Sequence, residues 1–179
     1  EIEAYVGDVA LKEDWKLPTT KETNHKVAVI GSGPASLTCA AFLRRNGIQT
    51  TIYEKHDYLG GLLVHGIPDF RLSKDIVNKT IEKILETGIN VEYNMELGKN
   101  IDLSTLEKEY DAVFLGIGAN SSRKMNIEGE ELSGVYGGNE LLENKKEIDC
   151  KDKTVIVSGG GNVAIDVART LKRQGASKV

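Results

Sequence analysis

Continuous apolar runs alternate with helical periodicities along most of the chain, and this alternation predicts an α/β fold. Lys26-Val27-Ala28-Val29-Ile30 is an apolar strand of the kind buried in parallel sheets. A glycine turn follows it, then a helical run over residues 35–46 that Gly47 closes, then a second strand over residues 49–53. Parallel neighbours need a crossover helix, so this β-turn-α-β unit opens a doubly wound, Rossmann-like parallel sheet. A helix over residues 74–86 places Ile76, Val77, Ile81, Ile84 and Leu85 on one face, and Gly88 ends it before a short strand over residues 89–93. Residues 111–116 read as a further apolar strand, expected at the centre of the sheet.

The flanks are less regular. Residues 1–11 read as a short helix and residues 13–25 as a polar linker containing Leu17-Pro18-Thr19-Thr20, with Trp15 expected to pack on the domain beyond. Residues 128–135 form a polar connection, and residues 145–152 a charged one leading to a strand over residues 153–158 and a helix over residues 164–174. Here the chain repeats its opening, because residues 154–164 match residues 27–36 in pattern. The expected organisation is an N-terminal helix and linker over residues 1–25, an incomplete dinucleotide domain over residues 26–149, and the first β-α unit of a second one over residues 150–179. At 179 residues the chain can bury one ordinary α/β core but not two complete ones.

Two glycine turns of one kind imply two nucleotide sites. Gly31-Ser32-Gly33-Pro34-Ala35-Ser36 fits G-x-G-x-x-G except at its last position, where Ser36 is small enough for the turn to survive. Gly31 allows the sharp turn, Gly33 lets the backbone approach a pyrophosphate, and the helix N-terminus balances the phosphate charge. Glu54 ends the next strand, where a carboxylate can accept from both ribose hydroxyls. The second turn, Gly159-Gly160-Gly161-Asn162-Val163-Ala164, is G-x-G-x-x-A between a strand and a helix. The residue that separates NAD from NADP lies roughly 20 positions past such a turn, so that preference is not legible here.

The remaining composition narrows the field. A net charge of −4 with both signs interspersed offers no nucleic-acid or anionic-membrane surface. Apolar runs fall far short of the roughly 20 residues of a membrane span, and no signal region opens the chain, so a soluble cytoplasmic protein is expected. Cys39 and Cys150 stand far apart without a CxxC, which leaves neither a disulfide framework nor a metal knuckle. Cys39 reads as a packing residue, His25 and His56 as surface residues, and His65 as a solvated loop residue. No Ser-His-Asp set, metal-ligand cluster or HExxH is present, so no catalytic side chain is named.

With these residues in hand, the chain resembles the family of the glutamate synthase small subunit and the similar flavin module of dihydropyrimidine dehydrogenase. The resemblance rests on KVAVIGSGPA (residues 26–35), EKHDYLGGL (54–62), GIPDFRL (66–72), DAVFLGIG (111–118), residues 134–141 and GGGNVAIDVAR (159–169). It implies that Gly31, Ser32, Gly33, Pro34, Ala35, Glu54, Lys55, Gly60, Gly61 and Leu62 hold FAD. Gly66, Ile67, Pro68, Arg71 and Leu72 would lie beside the flavin or its pyrophosphate, Leu97 near the adenine through its backbone, and Gly118 close to the flavin. NAD(P)H, with NADPH favoured, would occupy Gly159, Gly161, Asn162, Val163 and Ala164.

Residue chemistry supports these roles: paired glycines permit close approach, Pro68 fixes a loop, and Arg71 offers forked donors to a phosphate. A surface ion pair remains the alternative for Arg71, and a plain structural turn the alternative for Gly118. The implied activity is hydride transfer from NAD(P)H to flavin, with electrons passed to iron–sulfur clusters and a larger catalytic subunit or domain. None of the family's cluster cysteines is present, so the chain reads as a truncation that holds no cluster, turns over poorly alone and covers its open faces by forming a homodimer. Two alternatives stay open: a nucleotide-binding or interaction module without turnover, and a flavin monooxygenase-like protein, against which the GIPDFRL block counts.

Overall fold

The computed structural model describes residues 1–119, 121–143 and 148–179. In chain order the elements are helix α1 (Ile2–Lys12), strand β1 (Lys26–Ile30), α2 (Pro34–Arg45), β2 (Gln49–Glu54), α3 (Leu62–His65), α4 (Lys74–Leu85) and β3 (Asn90–Tyr93), then α5 (Leu103–Glu109), β4 (Ala112–Leu115), α6 (Gly138–Glu143) and α7 (Asn162–Arg173). They divide into two compact units. The first is Glu1–Leu63 with Ser73–Gly118, and the second is Val64–Leu72 with Ala119–Val179.

The first unit is built on a four-stranded sheet of order β3-β2-β1-β4 in which every pair is parallel. β1 is central and buries Val27, Ala28, Val29 and Ile30, which explains its unbroken apolar run. On one side of the sheet Ala28, Ile30, Tyr53 and Leu106 form a core that Met95, Leu97, Tyr110 and Val113 extend. The phenols of Tyr53 and Tyr110 share a 2.9 Å hydrogen bond, and burial, followed by that bond, pushes the Tyr53 phenol up, so it stays neutral. Leu106 comes from α5, whose seven residues are too short for a clear periodicity in the sequence.

Two expectations for this unit are corrected. The strand expected at the centre, β4, is an edge strand whose partner among the described strands is β1 alone, and Leu115 is 52% exposed. An apolar run does not report which hydrogen-bonding edge is filled, and none of the four residues of β4 is buried. Trp15 does not pack on the domain: it is 52% exposed, and its indole N–H donates to Glu13 Oε2 at 2.8 Å, a partner two residues away.

Helix α4 buries Val77 and Ile81 from its predicted face, while Ile76 is exposed. Arg44 fastens α2 to the turn after α4, donating from Nε to the Thr87 carbonyl at 2.9 Å and pairing through Nη1 with Glu22 at 2.8 Å. Because Arg44 is buried, its removal leaves that carbonyl unmatched. Arg44→Ala should lower stability by about 2–3 kcal/mol, measured as a shift in the urea midpoint at unchanged slope.

The second unit packs α6 against α7 around Leu141, Leu142, Cys150, Val167, Leu171 and Ala176. The strand expected over residues 153–158 does not form a ladder. Its one pairing among the described residues is a parallel bridge between Thr154 and Lys178, and Ile156 is 91% exposed. A strand exists only through a paired neighbour, and among the described residues this segment is paired only at its start, by Ser177 and Lys178. Helix α7 forms as predicted, with Val167 and Leu171 turned inward. Of the charged connection expected over residues 145–152, residues 145–147 lie outside the described ones. Among the described residues no helix is long and apolar enough to cross a membrane.

Candidate functional site

Each glycine turn sits where a strand or extended segment meets a helix, and the two share an unusual backbone signature. Gly31 has φ +88°, and a Cβ there would lie 2.6 Å from the Gly116 carbonyl oxygen, so the fold itself demands glycine. Gly33 is different: φ −68° and ψ 179° are open to any residue, and a Cβ would meet no atom within 4 Å. Nothing inside the protein requires glycine at this position, which faces open space at the N-terminus of α2 without a side-chain cap. The second turn repeats this: Gly159 has φ +119°, whereas Gly161, the N-cap of α7, has φ −78°, ψ 175° and no neighbour for a Cβ within 4 Å.

Around the first turn the structure gathers most of the residues predicted there. Ser36 is fully buried, with its hydroxyl 3.3 Å from the Gly116 carbonyl, so the serine at the last motif position does let helix and sheet meet. Ser32 donates to Glu54 Oε2 at 2.6 Å, and the His56 amide donates to Glu54 Oε1 at 3.0 Å. The Gly60 amide donates back to the Ser32 carbonyl at 3.0 Å, and a Cβ on Gly61 would lie 3.1 Å from Gly33 Cα. Gly31, Ser32, Gly33, Glu54, Gly60 and Gly61 therefore form one cluster, with Pro34, Ala35, Lys55 and Leu62 exposed at its rim. Leu97 turns its side chain into the core and is bridged to Ile101. Gly118, at φ +70°, follows β4.

The segment Val64–Leu72 belongs to the second unit, where it packs on α7. The amides of Arg71 and Leu72 bond to the Pro68 carbonyl, closing a turn. Arg71 Nη1 donates to Asp166 Oδ2 at 2.7 Å, and the Phe70 ring lies 4.6 Å from the Arg169 guanidinium and 3.8 Å from that of Arg173. The ion pair weighed as the alternative for Arg71 is thus present, with a buried rather than a surface partner. Asp166 was not singled out in the sequence. Its signal was an acid between Ile165 and Val167 on an amphipathic helix, and its Oδ1 is buried without a hydrogen-bond partner. His65 is corrected: it is buried, with Nε2 3.7 Å from Glu143 Oε1, not solvated. Gly66 and Ile67 line a cavity of about 310 Å³ reaching Thr170 and Arg173, at the end of α7 remote from Gly161.

Around the second turn Asn162 and Val163 are exposed in the first turn of α7, and Ala164 Cβ would touch a Cβ placed on Gly159 at 3.5 Å.

Residues 25–179 match the family described as pyridine nucleotide-disulphide oxidoreductase. The chain belongs to this family. Among pyridine nucleotide-disulphide oxidoreductase relatives, it is 38% identical to the glutamate synthase [NADPH] small chain of Escherichia coli, over 99% of this chain and 41% of that protein. It is 39% identical to the glutamate synthase [NADH] of Saccharomyces cerevisiae, over 99% of this chain and 9% of that protein. The structure of Mycobacterium tuberculosis FprA in complex with NADPH superposes with a TM-score of 0.74 at 26% identity, covering 82% of this chain and 36% of that one. The expected resemblance and the Rossmann-like α/β fold both hold. The chain spans about two fifths of the length of the bacterial small chain it matches. Its two cysteines are free, one in each unit, so the dithiol chemistry in the family's description has no cysteine pair here.

Proposed function

We propose that the chain is the nucleotide-holding part of a flavin oxidoreductase, binding FAD at the first glycine turn and NAD(P)H at the second. The observation that carries this reading is the pair Gly33 and Gly161, glycines at two helix N-termini that neither backbone conformation nor packing requires. A glycine kept where a Cβ would stand in open space fits a ligand that comes within contact distance of the backbone.

The donor set fits the group. The N-terminus of α2 supplies partial positive charge for a pyrophosphate, and Glu54 supplies acceptors for a ribose. Lys55 lies at the rim as a counter-charge for phosphate. At the second turn the N-terminus of α7 and the amides near Gly161, Asn162 and Val163 would hold the second pyrophosphate. When bound, FAD would accept a hydride from the nicotinamide, chemistry that belongs to the cofactors and needs no side-chain nucleophile. The protein's own contribution is to hold and align them and to exclude water.

NADPH is favoured as the donor, in keeping with the bacterial small chain and the FprA complex, while the yeast relative, at 39% identity, is named for NADH. In the parent protein the electrons would pass to iron–sulfur clusters and a larger catalytic subunit or domain, in the cytoplasm. The exposed Leu115, Ile117 and Ile156 would draw two copies of the isolated chain into a homodimer. Equilibrium dialysis tests the first assignment directly: FAD and ADP should both bind, and the absence of either at millimolar concentration would refute it.

A further inference from the structure

Glu54 is 5% exposed and makes no ion pair among the described residues, so neutral donors alone hold this buried carboxylate. Those donors are the Ser32 hydroxyl on Oε2, at 2.6 Å, and the His56 amide on Oε1, at 3.0 Å. The Ser32 hydroxyl has one proton, and its oxygen already receives the Gly60 amide at 3.2 Å, which leaves that proton to Glu54.

We propose that Ser32 is a positioning residue that makes the first site selective for a nucleotide whose ribose carries both of its vicinal hydroxyls. A carboxylate has about four acceptor positions on its two oxygens, and here one on each is filled. One acceptor on each oxygen is left, in an orientation set by two fixed donors, and a vicinal diol presents two donors side by side. Without the Ser32 hydroxyl the carboxyl group turns about its last torsion, which is soft, and the pair of acceptors no longer faces the sugar as a unit.

A purely structural role for the hydroxyl is poorly supported, because the Gly60 amide also donates to the Ser32 carbonyl at 3.0 Å and keeps that bond when the hydroxyl is gone. The inference rests on the first-turn assignment made above, and the experiment separates the two. Affinities for ADP and 2′-deoxy-ADP are measured by calorimetry on the wild-type chain, Ser32→Ala, Ser32→Gly and Glu54→Gln. The wild type should prefer ADP by about tenfold, as expected for one well-formed hydrogen bond to a charged acceptor. Ser32→Ala should reduce that preference to about twofold, and in the Glu54→Gln background it should change the preference no further. Ser32→Gly serves as the second hydroxyl-free variant should alanine not fold. Wild-type protein that binds neither nucleotide overturns the first-turn assignment and this inference together. Wild-type protein that binds ADP without preference, or a folded hydroxyl-free variant that keeps the preference, overturns this inference alone.

Discussion

Gly33→Val should lower the affinity of the chain for ADP and FAD by about 100-fold or more while lowering its stability by no more than about 1 kcal/mol. The two effects separate because of where the side chain would go. At φ −68° and ψ 179° valine is unstrained, the extended conformation is the one favoured before Pro34, and no protein atom lies within 4 Å of the new Cβ. Losing glycine as the N-cap of α2 costs up to about 1 kcal/mol, whereas a 100-fold loss of affinity is about 2.7 kcal/mol. The branched side chain would occupy the space in which a pyrophosphate approaches the amides of α2. Gly31→Ala makes a useful contrast, since its Cβ would strike the Gly116 carbonyl and damage the fold before any ligand arrives. Dialysis and unfolding on Gly33→Val check both halves, and retained affinity would remove the turn from the site.

Loaded with FAD and mixed with NADPH, the 179-residue chain should bleach its flavin more slowly than about 10⁻² s⁻¹, some thousandfold below a typical enzyme turnover of about 10 s⁻¹. The reason lies in the second unit. Its glycine turn and α7 are in place, but among the described residues its only strand pairing is the Thr154–Lys178 bridge. A nucleotide half-domain sets its cofactor on the ends of several parallel strands. Lacking them, the nicotinamide is tethered by its phosphates and not aligned, and alignment of reacting groups accounts for about 7–11 kcal/mol of an enzymatic rate. Stopped-flow bleaching faster than about 1 s⁻¹ would show that the second unit orients the nicotinamide as it stands.

What could be read from the sequence was what neighbouring residues decide among themselves. β1, its glycine turn, α2 and β2 form from one contiguous stretch, and the close placement of Glu54 to the turn follows from that stretch alone. The place of β4 in the sheet depended on partners remote in sequence, and so did the failure of residues 153–158 to form a ladder. The same holds within the candidate site. Gly60 and Gly61 were legible as a glycine pair, but that Ser32 joins them to Glu54 is a contact over 28 residues on one side and 22 on the other. Asp166 was not legible because its partner, Arg71, stands 95 residues away, and no local pattern links residues so far apart.

That last pair bears on the order in which the chain can fold as it is made. Val64–Leu72 is an excursion from the first unit, which resumes at Ser73, and the segment gains anchors from α6 and α7, 95 residues later for Arg71 and Asp166. Every strand of the first sheet has been synthesised once Leu115 emerges, so that unit can condense early. The GIPDFRL segment must then wait, solvated and carrying Phe70 and an unpaired Arg71, until the second glycine turn and its helix leave the ribosome. The first glycine turn is thus complete well before this segment, and it is the arrival of α6 and α7 that ends the wait.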